Sequence, residues 1–96
     1  MEKQQTWIYF IKCLDKIKIG YTTNIARRMK ELKTGNGEKL ELIYKIQGDK
    51  YLERVYQHKY QDYHISGEWF EAEPIIRMIE QRKRDIKEQK KLGLIK

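Results

Sequence analysis

Trp7-Ile8-Tyr9-Phe10-Ile11-Lys12, followed four residues later by Ile17-Lys18-Ile19-Gly20-Tyr21, is the stretch on which the fold turns. Both segments are rich in side chains that pack well on a pleated surface, and the second alternates apolar with other residues. Their closeness predicts a hairpin. If Ile8, Phe10, Ile17 and Ile19 share one buried face, opposed residues must have numbers that sum to an odd value, because side chains alternate between faces. A sum of 29 leaves Cys13-Leu14-Asp15-Lys16 as a four-residue loop with Asp15 as turn former, and sets Tyr9 opposite Gly20. Tyr9 and Lys18 then share the other face, beside a glycine that leaves room for a ligand.

Outward from the hairpin, Asn24 is the predicted N-cap of a helix from Ile25 to about Lys33, with Ile25, Met29 and Leu32 recurring at helical spacing. Gly35-Asn36-Gly37 stops it. Leu40 to Ile46 reads as a third strand with Leu40, Leu42, Tyr44 and Ile46 on one side. Asp49 caps a second helix whose stripe is Leu52, Val55, Tyr56, Lys59 and Tyr63, with Glu53 at its border. Gly67-Glu68-Trp69-Phe70 is a short extended piece whose two aromatic residues serve as core anchors. Pro74 opens a third helix with Ile75, Ile79 and Ile86 inward, and Gly93 closes it.

The 96 residues suit one domain spanning 1–96, with a basic C-terminal helix or tail at about 82–96. With 36% charged residues and a mean hydropathy of −0.88, no apolar run reaches the ~18 residues that would cross a bilayer, so a soluble protein with no membrane partner is expected. The single cysteine, Cys13, cannot form an internal disulfide, and the first residues lack a signal-peptide stretch, which points to a reducing, cytoplasmic setting. Twenty-one Lys+Arg against fourteen Asp+Glu give +7, a balance that suits a polyanionic partner bound through phosphate contacts. Arg82, Lys83 and Arg84 open the most basic segment. One cysteine and two histidines are too few for a zinc cluster, and no glycine-rich phosphate loop is present.

What remains for chemistry is Tyr9 and Lys18 on one strand face, Arg27 and Arg28 on the first helix, and Glu53 on the second. Of two adjacent helix residues only one readily faces a site, and Arg28 is the one expected to hold a phosphate. A single carboxylate suits Mg²⁺, which takes one or two protein carboxylates and keeps water or phosphate oxygens as its other ligands. A phenol titrates near ~10, and a neighbouring cation lowers that value, so Tyr9 is expected to accept a proton from water.

Trp7-Ile8-Tyr9 followed by Lys18-Ile19-Gly20 resembles the paired motifs of the GIY-YIG nuclease superfamily at a similar spacing. Gly20-Tyr21-Thr22-Thr23-Asn24, Arg27-Arg28, Glu53 and Gly67-Glu68-Trp69-Phe70 extend the likeness to the phage-type branch with a KIG second motif, over roughly residues 6 to 73. The resemblance implies an α+β fold with a small three-stranded antiparallel sheet flanked by helices. It also implies a metal-dependent DNA endonuclease that uses Mg²⁺ or Mn²⁺. Tyr9 would then lie near the nucleophilic water, Arg28 on the scissile phosphate, and Glu53 on the divalent ion as its sole protein ligand. Two positions depart from the pattern: Trp7 replaces the first motif's glycine, and Lys18 replaces the second motif's tyrosine, so a second phenol comes from Tyr21 or is absent. That branch often places a histidine one turn after the glutamate, where this chain has Gln57. Arg27, Lys30, Arg82, Lys83 and Arg84 are the expected DNA contacts. The alternative function is a catalytically inactive nucleic-acid-binding module of the same fold.

Overall fold

The opening stretch forms the expected hairpin in a computed structural model that describes residues 5–34 and 37–93. β1 (Trp7–Cys13) and β2 (Lys16–Thr22) pair antiparallel with Tyr9 opposite Gly20, the register of sum 29. Pairing continues to Cys13 opposite Lys16, so only Leu14 and Asp15 turn the chain, and Leu14 adopts a φ of 56°. That left-handed backbone costs a leucine roughly 1 kcal/mol. The turn is braced from outside, where the Asp15 carbonyl accepts the Ala72 N–H at 3.0 Å.

The sheet has five antiparallel strands, which corrects the three-stranded expectation. β3 (Leu40–Gln47) lies beside β1, while β4 (His64–Ser66) and β5 (Trp69–Glu71) form a second hairpin on the far side of β2, in the order β3-β1-β2-β5-β4. Strands of three residues carry too little alternation to be read from sequence. They form because β2 has a second edge to pair: Lys16, Ile17 and Lys18 meet Glu71, Phe70 and Trp69, and Phe70 enters the core. The side assignment of β3 also needs correction. Phe10 opposes Tyr44 but Ile11 opposes Leu42, so Ile43 is an extra residue and the alternation flips at a bulge. Leu40 and Leu42 pack on one face of the sheet, Tyr44 and Ile46 on the other.

α1 (Ile25–Thr34) starts at Asn24, whose Oδ1 accepts the Arg27 N–H at 2.9 Å, and it packs Ile25, Met29 and Leu32 against Tyr9, Ile11, Cys13 and Leu40. Its expected stop at Gly35-Asn36 lies outside the described residues. α2 (Lys50–Lys59) starts at Asp49, which accepts the Leu52 N–H at 3.1 Å. Its inner face is Leu52, Glu53, Tyr56 and Gln57, running on to buried Tyr60, while Val55 is 41% exposed and Lys59 also faces outward. The inner face is rotated from the expected stripe toward Glu53 and Gln57, polar residues that find a cleft and the Ile19 carbonyl on that side. α3 (Ala72–Lys91) begins two residues before Pro74, buries Ala72, Ile75 and Ile79, leaves Ile86 half-buried, and is followed by Gly93 at a φ of 77°. Helices α2 and α3 thus close the face that carries Ile8, Phe10, Ile17 and Ile19, and α1 covers part of the other.

Candidate active site

β5 pairs with β2 only through Lys16, Ile17 and Lys18, and β2 runs on past it through Gly20 to Thr22. A cleft of about 470 Å³ opens beside this extension. Tyr9, Lys18, Tyr21, Arg27, Arg28 and Glu53, the residues singled out in the sequence, all line it. They come from β1, β2, α1 and α2. Tyr9 is 2% exposed, and its ring lies across Gly20, where a methyl group would overlap the phenol oxygen. No larger residue fits there while Tyr9 keeps its place. The Thr22 hydroxyl donates to the Asn24 carbonyl at 3.2 Å and accepts the Asn24 N–H at 3.1 Å, which fixes the turn that delivers Arg27 and Arg28. Both arginines reach the cleft, although one was expected, and both bond to Glu31 at 3.5 and 3.4 Å.

Glu53 stands in the first turn of α2, and one turn later Gln57 donates from Nε2 to the Ile19 carbonyl at 3.1 Å. The residue that occupies the histidine position of the phage-type pattern is therefore a clamp between α2 and β2. From the other side, the Ile19 N–H donates to the Glu68 carbonyl at 3.0 Å. Tyr21 belongs to the strand face opposite Tyr9 and lies under the Lys50 ammonium, 5.7 Å from its ring centre. Trp7, in the place of the motif glycine, carries the Lys45 ammonium 4.7 Å over its ring.

A profile of the T5orf172 domain matches residues 6–90, from the approach to β1 almost to the end of α3. The chain belongs to the T5orf172 domain family. This is a phage-associated domain found in nuclease contexts. No curated protein and no solved structure shows significant similarity to the chain.

The electrostatics of this T5orf172 domain reverse one sequence expectation. The Tyr9 phenol is pushed up to about 12, first by burial and then by the charge of Glu68, with Arg28 pulling the other way and Glu53 and Glu31 adding to the rise. Lys18, expected to favour the phenolate, instead holds its ammonium 5.2 Å over the Trp69 ring. Burial and the Glu68 charge also raise the Glu53 carboxyl, against the pull of Lys50 and Arg54. Arg28 keeps a buried Nε without a hydrogen-bond partner. As a guanidinium that lines the cleft, Arg28 is suited to an oxygen of an anionic ligand.

Sequence reasoning gave no role to Glu68 or Lys50, both of which line the cleft of the T5orf172 domain. The lone acid of Gly67-Glu68-Trp69-Phe70 is the signal in the sequence that points to Glu68. Among the described residues no group of three or more His, Cys, Asp or Glu is placed to hold a metal. Two carboxylates whose charges oppose one another remain, a donor set that fits an oxygen-seeking ion such as Mg²⁺. Arg82 and Lys83 lie on the other side of the sheet, Arg82 beside Tyr44 and Lys83 donating to the Ile43 carbonyl at 3.2 Å. Arg84 is exposed on α3 and bonds Gln81 at 2.9 Å, and Lys30 is exposed on α1. None of these four lines the cleft. No helix among the described residues is long and apolar enough to cross a membrane.

Proposed function

We propose that this T5orf172 domain is a metal-dependent endonuclease of GIY-YIG type that hydrolyses DNA phosphodiester bonds by direct attack of water. The observation that carries the reading is convergence: Tyr9, Arg28 and Glu53, from three separate elements, border one cleft with Lys18 and Arg27. Arg28, which lines the cleft, binds the scissile phosphate and stabilises the charge that grows there during attack. Lys18, Arg27 and Lys50 draw the anionic strand in and hold it. Tyr9, fixed over Gly20, positions the attacking water. Glu53, with Glu68 across from it, would hold Mg²⁺ or Mn²⁺, which supplies Lewis-acid stabilisation of phosphate charge. Arg82, Lys83 and Arg84, with the rest of the basic segment to residue 96 of this single domain, add phosphate contacts away from the chemistry.

The rival reading, an inactive DNA-binding module, draws support from Lys18 and Trp7 in the motif positions and from a phenol held at about 12. A supercoiled-plasmid assay separates the two. Nicking that needs Mg²⁺ and disappears in Glu53→Ala, with DNA affinity retained, is the expected result. Binding without nicking, across Mg²⁺ and Mn²⁺, would favour the module.

A further inference from the structure

A groove of about 450 Å³ opens on the face of the sheet that carries Phe10, between α2 and α3 and beside β3. Its aromatic wall is Tyr44 from β3, Tyr56 from α2 and Tyr60, with buried Phe10. The Tyr56 and Tyr60 rings lie 17° from parallel with centres 6.3 Å apart, and Phe10 stands edge-on to them at 5.4 and 6.4 Å, so the wall is held in place. Tyr44 and Tyr56 stay half-buried, each with part of its surface open. The three phenols and the Arg82 guanidinium converge closely enough to act on one another's charge. Lys59 and Lys83 hold their ammoniums 5.5 Å over the Tyr60 and Tyr44 rings, which sets cations at the border of the wall. Asp85, the only acid in the lining among the described residues, is engaged by the Gln81 amide at 2.9 Å.

A flat base is held by aromatic rings and the phosphates beside it by cations, so this lining matches a nucleotide within a strand. A base inside a duplex has both faces covered by its neighbours, which leaves an unpaired strand as the occupant. The positive charge continues along α3 past the groove: Arg82, Lys83, Arg84, Lys87, Lys90 and Lys91 stand against Asp85 and Glu88. That suits several successive phosphates, more than a free mononucleotide carries next to its base. We propose that this groove is a binding site for single-stranded DNA, in which an unpaired base rests on the tyrosine wall while Arg82, Lys59 and Lys83 hold the neighbouring phosphates. The groove and the cleft share no lining residue, and the sheet lies between this wall and Tyr9, so the groove holds a part of the DNA other than the one at the cleft. The choice of DNA rests on the hydrolysis reading above, whereas the site itself does not require the chain to cut.

Binding of a short labelled oligothymidine is read by fluorescence anisotropy in EDTA, where metal-dependent cutting is silent. An abasic strand of the same length keeps the phosphates and lacks the bases, and is expected to bind about tenfold more weakly or worse. Arg82→Gln is expected to weaken oligothymidine binding by about tenfold, well beyond Arg77→Gln, which makes the same charge change on α3 outside the groove. The preference for bases is expected to persist in Arg27→Gln/Lys50→Gln, two exposed changes in the cleft. Equal binding of the two strands would overturn the site, as would equal losses for Arg82→Gln and Arg77→Gln. Loss of the preference in the cleft variant would overturn it by moving base contact to the cleft. Thymidine monophosphate competing at the strand's own affinity would make the groove a mononucleotide pocket, and tighter binding of oligouridine would overturn the choice of DNA. A second measurement needs no variant. A strand carrying 5-iodouracil, irradiated with the parental protein, is expected to crosslink to Tyr44 or Tyr56, as mapped by mass spectrometry. Crosslinks confined to Tyr9, Tyr21, Trp7 or Trp69 would overturn the groove. None of these readings depends on cleavage, so an inactive chain leaves the site standing and a failed site leaves the hydrolysis reading standing.

Discussion

The two faces of the sheet are built by opposite rules. One carries Ile8, Phe10, Ile17 and Ile19, each 0% exposed, and is closed by α2 and α3. The other carries Tyr9, Ile11, Cys13 and Leu40 under α1 alone, and it gives way at its β2 end to a cleft lined with cations and two carboxylates. The closed face is filled with hydrocarbon and aromatic rings, such as Phe10 set edge-on to Tyr56 at 5.4 Å. The open face accepts a buried phenol, a buried guanidinium nitrogen without a partner, and the Glu53 carboxyl held above its ordinary range. Each such feature costs folding free energy, so this chain concentrates its stability on one side of a single sheet and its chemistry on the other.

The largest expected effect tests the closed face. Phe10→Ala removes a fully buried ring that meets Tyr44, Tyr56 and Tyr60, and should cost about 3–5 kcal/mol in urea unfolding, enough to unfold much of a domain of this size. A loss under ~1 kcal/mol would mean that the stability does not reside there. Tyr9→Phe, next to it in sequence but on the other face, should leave stability nearly unchanged while single-turnover cleavage falls by about 10², or roughly 2.7 kcal/mol of barrier. Equal effects of the two variants on unfolding and cleavage would erase the contrast.

A third variant sharpens the trade-off by its sign. Glu53 has its carboxyl raised above 4.5 in the folded protein, so the folded state holds that proton more tightly than the unfolded chain does. Its ionisation therefore removes stability as pH rises through the window between 4.5 and the folded value. Glu53→Gln should raise the melting temperature at about pH 7, leave it unchanged at about pH 3.5, and abolish cleavage. A lowered melting temperature at neutral pH would show that the carboxylate stabilises the fold. The smallest effect is expected outside both faces. Removing residues 87–96 takes away Lys87, Lys90, Lys91 and Lys96, and should flatten the slope of log affinity against log salt by up to ~3 without stopping the chemistry. An unchanged slope would remove these lysines from the DNA contacts.

Features that depend on neighbours along the chain were legible in the order of residues. The β1–β2 register followed from alternation and a short turn, which put Tyr9 against Gly20, and the caps Asn24 and Asp49 followed from side chains that bond the next turn's N–H groups. The other features came from pairing between distant segments, which residue order does not reveal. His64–Ser66 and Trp69–Glu71 are too short to announce themselves, and became strands only because β2 offered an edge. Ile43 reversed the faces of β3, since the bulge is set by how β3 fits β1. Polar Glu53 and Gln57 turned inward because a cleft and the Ile19 carbonyl were there to receive them. Glu68 entered the site for the same reason, and with it the rise of the Tyr9 phenol: whether a titratable side chain meets a cation or a carboxylate is fixed by which remote element folds against it.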